Sequence, residues 1–193
     1  MAEVRTIAVI GAGTMGRGIA RLCATGGYRT ILEDILPASL RSAEIEIRGA
    51  LDQTIQKGAI TVDAAETALA RIEYASSVEQ AARGADLVIE AVPDEMESKL
   101  EILTLLDKVA KPATILVSNT SILSVTELAS VTYRRNKILG MRFYTPIDEM
   151  ELLEIVRAEE TDDATVAACV EIGCCMGKKV VVVEEAKRSV ASQ

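Results

Sequence analysis

Ile7-Ala8-Val9-Ile10-Gly11-Ala12-Gly13-Thr14-Met15-Gly16, then Ile19, Ala20, Leu22 and Cys23, then Thr30-Ile31-Leu32-Glu33-Asp34: these residues decide the fold. The four apolar residues before Gly11 are rich in β-branched types and read as a buried strand. The glycine turn follows at once, a helical pattern carries the chain to Gly26-Gly27, and a second apolar run ends in two acids. Each glycine has its own task. Gly11 permits the tight turn, Gly13 lets the backbone approach a pyrophosphate, and Gly16 lets helix and strand pack closely. Ala12, Thr14 and Met15 complete the turn, and the helix that starts there offers free N–H groups and a positive dipole end to phosphates. Asp34 stands where a carboxylate accepts the hydroxyls of an adenosine ribose. A glycine turn alone is weak, since such turns also occur for structural reasons. Strand, helix, second strand and terminal acid together point to a dinucleotide. Asp34 would repel a 2′-phosphate, and Ile35 and Leu36 supply no arginine to receive one, so the expected cofactor is NAD rather than NADP.

The rest of the chain extends the same alternation. Pro37 opens a helix with Leu40, Ala43, Ile47, Leu51 and Ile55 at helical spacing, and Gly58 stops it. Thr61 caps a second helix through Ala68 and Leu69. This insertion, about 37–70, is long for a simple strand–helix–strand unit. It reads either as a cover for a ligand or as an outer hairpin that shields the sheet. Further strands are predicted at Ile72–Tyr74, Asp86–Val92, Thr114–Val117, Lys137–Phe143, Leu152–Val156 and Lys179–Val183. Helices fall between them over Val78–Ala82, Glu95–Ala110, Val125–Ala129 and about Asp163–Met176. The expected fold is α/β: a doubly wound, mostly parallel, Rossmann-type sheet with a helical insertion after the second strand. Ligands of such sheets bind beyond the carboxyl ends of the strands, where Asp34, Asp94, Ser121 and Arg142 fall. A polar tail from Glu184 onward is expected to fray.

Composition narrows the function. With 21 Lys and Arg against 29 Asp and Glu, the net charge is −8. No basic stripe exists to neutralise phosphates, so neither nucleic acid nor an anionic membrane surface is an expected partner. No apolar run is long enough to span a bilayer, and the start reads as free of a signal peptide, so a cytoplasmic protein is expected. The four cysteines form no CxxC pair and the chain has no histidine, so no metal site is expected and the thiols read as reduced.

Gly11-Ala12-Gly13-Thr14-Met15-Gly16-Arg17-Gly18, Ala85-Asp86-Leu87-Val88-Ile89-Glu90-Ala91-Val92-Pro93, Ser118-Asn119-Thr120-Ser121, and Gly140-Met141 leading to Phe143 and Pro146 together form a specific combination. By these motifs the chain resembles the NAD-binding domain of the 3-hydroxyacyl-CoA dehydrogenases, over nearly its whole length. The resemblance implies a dinucleotide domain over 1–184, a polar tail over 185–193 and a role in fatty-acid metabolism. It implies that Gly11 to Gly16 and Asp34 hold the adenosine half. It puts Asp94 and Lys99 near the nicotinamide ribose, and Ser121 against both nicotinamide and the substrate oxygen. Glu154 matches the glutamate that orients the catalytic histidine. Lys57 lies where the family has a lysine near coenzyme A phosphate, although a solvated surface lysine accounts for it as well.

The sequence departs from the family at one decisive place. The family reads Gly, an apolar residue, His-Phe-Phe-Asn-Pro; this chain reads Gly140-Met141-Arg142-Phe143-Tyr144-Thr145-Pro146. Oxidising a secondary alcohol requires a group that takes the hydroxyl proton, and histidine suits this because it titrates near neutrality. Arginine stays protonated. Tyr144 could substitute only if its ordinary value of about 10 were strongly lowered. The family also continues into a helical domain that completes the acyl pocket and forms the dimer contact, for which this sequence holds about ten residues beyond its last strand. Arg142 is therefore expected to pair with Glu154 in place of a histidine. Two readings stand side by side: a dehydrogenase acting on a 3-hydroxyacyl-CoA, and a module that binds NAD(H), with or without an acyl-CoA, and performs no chemistry.

Overall fold

Ile7, Ala8 and Val9 lie beside Leu87, Val88 and Ile89, all six fully buried, at the centre of an eight-stranded sheet in the computed structural model, which describes residues 3–185. The chain runs β1 (Thr6–Ile10), α1 (Thr14–Thr25), β2 (Arg29–Glu33), α2 (Pro37–Gln56), α3 (Val62–Ala70), β3 (Ile72–Ala75), α4 (Val78–Gly84) and β4 (Leu87–Glu90). It continues through α5 (Met96–Val109), β5 (Ile115–Asn119), α6 (Val125–Ala129), β6 (Ile138–Phe143), β7 (Leu152–Arg157), α7 (Asp163–Cys175) and β8 (Lys179–Glu184). The strands are ordered 3-2-1-4-5-6-7-8. Successive residues of a strand face opposite sides, so each central strand feeds two cores. Ile7, Val9 and Leu32 pack with α1, α2 and α3 on one side. Ala8, Ile10, Val88 and Leu116 pack with α4, α5 and α6 on the other. This is the doubly wound, mostly parallel architecture expected from the alternating pattern.

The sheet departs from parallel at one pairing: β7 runs antiparallel to β6. Only residues 144–151 join these strands, without a helix. A parallel return needs a crossover of a dozen or more residues. After β7, α7 supplies such a crossover and β8 is parallel to β7. The loop 144–151 is tied down from below by Lys178, whose Nζ donates to the carbonyls of Ile147 (2.6 Å) and Met150 (2.8 Å), and by an Arg21–Asp148 ion pair.

The insertion packs as an outer hairpin. Ala43, Ile47 and Leu51 of α2 and Ala65 and Ala68 of α3 are buried against Ile19 and Cys23 of α1. Arg17 and Glu46 join α1 to α2 at 2.6 Å. Thr61 caps α3 by accepting from the Ala64 N–H (3.2 Å), and Gly58 takes the left-handed conformation (φ +70) that ends α2. Of the two readings of residues 37–70, the packing fits the shield.

The expected fraying from Glu184 does not hold for its first two residues. Glu184 ends β8, and the Glu185 N–H donates to the Arg157 carbonyl (3.0 Å). The Glu185 carboxylate accepts from the N–H groups of Val125 (2.7 Å) and Thr126 (2.8 Å), which open α6 and lack partners in their own turn. The remainder of the predicted tail, 186–193, lies outside the described residues. Among the described residues no helix is long and apolar enough to cross a membrane.

Candidate functional site

The carboxyl ends of β1, β2, β4, β5 and β6 converge on a cavity of about 930 Å³. Its floor is the glycine turn. Gly11 adopts φ +97, its N–H donates to the Glu33 carbonyl (2.8 Å), and a Cβ there would stand 3.0 Å from the Ala91 carbonyl oxygen. A Cβ on Gly16 would fall 1.7 Å from the Gly11 carbonyl oxygen, so helix and turn touch where only glycine fits. Gly13 differs: a Cβ there would meet nothing within 4 Å and would occupy the cavity instead. Gly13 is also the N-cap of α1, and no side chain caps that helix. Its first N–H groups and its dipole are therefore presented to whatever fills the cavity beside Thr14 and Met15. This cradle fits a pyrophosphate.

Asp34 braces the same turn. One carboxylate oxygen accepts from the Ala12 N–H and the other from the Leu36 N–H, each at 2.9 Å. These bonds fix its orientation at the cavity wall and leave lone pairs for the hydroxyls of a ribose. The residues present thus fit the adenosine half of NAD.

At the other end, Asp94 receives both the N–H (3.0 Å) and the hydroxyl (2.9 Å) of Ser121 through a single oxygen. Partial burial raises the Asp94 carboxyl, but hydrogen bonds from Thr120 and Ser121 outweigh it and hold the group below the usual carboxylate range. Ser121, an exposed residue after β5, is thereby fixed at the cavity. The expectation for Lys99 needs correction. It is fully buried and does not line the cavity. Its Nζ donates to both oxygens of Glu90 (2.7 and 2.9 Å) and to the Asn119 carbonyl (2.9 Å), with Asp94 at 4.0 Å. A buried carboxylate needs an equally buried cation, and Glu90 sits inside the central strand. Lys99 therefore supports the loops that carry Asp94 and Ser121 and has no free contact for a ribose.

Arg142 of β6 stands opposite Glu154 of β7, and Nη1 reaches Oε2 at 2.8 Å. The ion pair expected from the sequence is present. Tyr144 lies beside it; a hydrogen bond to Glu154 is the main reason that its phenol is held above its ordinary value. The direction is opposite to the one a proton acceptor at neutral pH requires.

The cavity thus brings together Gly11, Gly13, Thr14, Met15, Asp34, Asp94, Ser121 and Arg142, with Ala12, Gly16 and Glu154 behind the wall. Lys57 is exposed at the C-cap of α2, and no residue of 37–70 lines the cavity. Two residues escaped the sequence reading: Glu90, visible only as one acid in an apolar strand, and Glu33. Glu33 lines the cavity, is 4% exposed, and its carboxyl has no hydrogen-bond or ion-pair partner among the described residues. Burial, with Asp34 adding to it, pushes that carboxyl up to about 7.

Comparison with known proteins points to the same cofactor. Residues 6–186 match the family model described as 3-hydroxyacyl-CoA dehydrogenase, NAD binding domain. The chain is 39% identical over 184 residues to a 3-hydroxybutyryl-CoA dehydrogenase of Bradyrhizobium diazoefficiens, covering 95% of the chain and 62% of that relative. It is 33% identical over 180 residues to the mitochondrial hydroxyacyl-coenzyme A dehydrogenase of Sus scrofa, covering 91% and 57%. The crystal structure of (S)-3-hydroxybutyryl-CoA dehydrogenase from Ralstonia eutropha superposes with a TM-score of 0.91 at 35% identity, over 95% of this chain and 65% of that one. The chain spans about three fifths of the length of these relatives.

Proposed function

The chain belongs to the 3-hydroxyacyl-CoA dehydrogenase family, matching its NAD-binding domain, and from that premise we propose that these residues bind NAD(H) without completing the dehydrogenase reaction. One observation carries the reading. The place beside the nicotinamide end of the cavity is filled by the Arg142–Glu154 ion pair at 2.8 Å, and the chain contains no histidine.

NAD, the cofactor of this domain, supplies the hydride acceptor when bound. The chain's residues divide the remaining work. Gly13 and the start of α1 take the pyrophosphate, Asp34 takes the adenosine ribose, and Ser121, held by Asp94, offers a hydroxyl to the oxygen of a bound ligand. What is missing is an acceptor for the alcohol proton. Arg142 remains protonated, and Glu154 already accepts from Arg142. Loss of a general base costs about 10² to 10⁴ in rate. The ligand proposed beyond Ser121 is an acyl-CoA, the class named for the relatives above. A reducing compartment, such as the cytoplasm, suits the four free cysteines.

The test combines fluorescence titration with NADH and an assay for NADH formation from NAD⁺ and 3-hydroxybutyryl-CoA. Binding without turnover supports the reading. Turnover at a rate typical of enzymes, about 1 to 10³ per second, overturns it.

A further inference from the structure

Four strands contribute one row of residues on the α4–α5 side of the sheet: Glu33 on β2 is level with Ile10 on β1, which is level with Glu90 on β4, itself level with Ser118 on β5. The row thus holds two buried carboxyl groups on either side of Ile10, and the structure treats them differently. Glu90 is neutralised by Lys99 and hydrogen-bonded by Ser118. Glu33 has no cation and no donor among the described residues; its stem is buried, 4% of the residue is exposed, and its carboxyl meets solvent only through the cavity that it lines. It lines the cavity together with Ile10, Ile35, Val78 and Ile102, and the charge that acts on it is Asp34, next to it in sequence. The other charged groups on β2, β3 and α4 are engaged elsewhere, and on α5 Lys99 is committed to Glu90, Asp107 pairs with Arg134, and Glu97, Glu101 and Lys108 are exposed to solvent. Glu79 on α4 pairs with Arg83, Glu73 on β3 pairs with Arg29, and Asp34 is oriented by two N–H groups.

An unpartnered carboxyl in an apolar wall, facing a cavity, is costly as a charge and is tolerated as a neutral acid. A neutral carboxyl is also a donor, which an ionised one is not. We propose that Glu33 is a cofactor-contacting residue: in its neutral form it donates its O–H to an acceptor of the adenosine half of NAD(H), so that the cofactor binds with uptake of a proton. The inference rests on the NAD(H)-binding reading above. Its physical basis is that a bound adenosine displaces the last water from Glu33 and brings a negatively charged pyrophosphate nearby, both of which disfavour the ionised form. The affinity for the cofactor should then fall above pH 7, by up to about tenfold per pH unit.

Calorimetric titration at pH 8 in two buffers of different ionisation enthalpy measures the proton directly, with NADH and with ADP-ribose, which carries the adenosine half alone. The expected result is uptake of about one proton per ligand for both. Glu33→Gln keeps a donor and cannot ionise, whereas Glu33→Met keeps the length but loses the donor and should bind NADH more weakly than Glu33→Gln; neither should show uptake or a dependence on pH between 6.5 and 8.5. Absence of uptake by the unmodified chain, or its persistence in a folded Glu33 variant, overturns the assignment while leaving NAD(H) binding intact. Failure to bind NADH at any pH overturns both.

Discussion

Arg142 and Glu154 face each other across the antiparallel pair β6–β7, and one contact of 2.8 Å, from Nη1 to Oε2, joins them at the rim of the cofactor cavity. The Nε of Arg142 is buried and finds no acceptor among the described residues, so the guanidinium is not held as a two-pronged fork. Arg142 is part of the cavity lining and Glu154 is not, so the local field of the pair on the cavity side is that of its positive member.

That field should favour the neutral ring of NADH over the positively charged ring of NAD⁺. Glu154→Gln removes the compensating charge and should widen the preference, by roughly fivefold, on the order of 1 kcal/mol for a partly solvated charge. Arg142→Ala should narrow it. Separate titrations of the two redox forms measure both ratios, and an unchanged ratio in both variants would show that Arg142 does not reach the ring electrostatically. Arg142→His alone should restore little turnover, because Thr145 also departs from the family pattern and Tyr144 still lies beside Glu154.

Asp34, the residue proposed to read the ribose, also supports the glycine turn, through the N–H of Ala12. Asp34→Ala should therefore weaken NADH binding more than the loss of one ligand contact would, by about 2 kcal/mol or some thirtyfold, while narrowing the gap to NADPH. Fluorescence titration with both cofactors gives the comparison. Equal affinity of the unmodified chain for NADH and NADPH would remove Asp34 as the selector.

Gly13 and Gly16 separate binding from folding. Gly13→Val places its side chain in open cavity, so the melting temperature should hold while NADH binding is lost. Gly16→Ala drives a methyl into the Gly11 carbonyl and should destabilise the fold by about 3 kcal/mol or more. A Gly13→Val protein that still binds NADH would put the pyrophosphate elsewhere.

How much of this was legible depended on the range of the interaction. The turn from Gly11 to Gly16, the acid at Asp34 and the Thr61 cap are local patterns, and each appears where the sequence put it. The direction of β7 was legible in principle, because residues 144–151 hold no helical pattern and a short connection forces an antiparallel return. The partner of Lys99 was not legible. Glu90 lies nine residues away across a turn, and only the assembled sheet shows that this lysine is buried and committed to it. Glu185 likewise reads as tail until α6 is beside it.

The Glu90–Lys99 pair sets up a further test. Lys99→Met leaves a buried carboxylate without its cation and should cost about 3 to 5 kcal/mol of stability. The double variant Glu90→Leu with Lys99→Met removes both charges and should recover most of that loss, as measured by urea unfolding. If the single variant costs less than about 1 kcal/mol, Lys99 is not the support of the Asp94 and Ser121 loops described here.

Glu33 should also mark the stability of the cofactor-free chain. Its carboxyl titrates near 7 in the folded state against an ordinary value of 4.5, so between these limits the folded chain holds a proton that the unfolded chain has released. Stability must fall with rising pH across that window and level off above it, by on the order of 1–2 kcal/mol once solvent screening at the cavity is allowed for. This is the reverse of Asp94, whose lowered value makes its contribution present at neutral pH and lost under acid. In Glu33→Gln the decline between pH 4.5 and 7 should flatten, and the variant should be more stable than the unmodified chain at pH 8 although it removes an acid from a binding site. Urea unfolding at a series of pH values reads both curves. If the two chains lose stability in parallel through this range, the Glu33 carboxyl is ionised in the fold, and the neutral donor proposed for it does not exist.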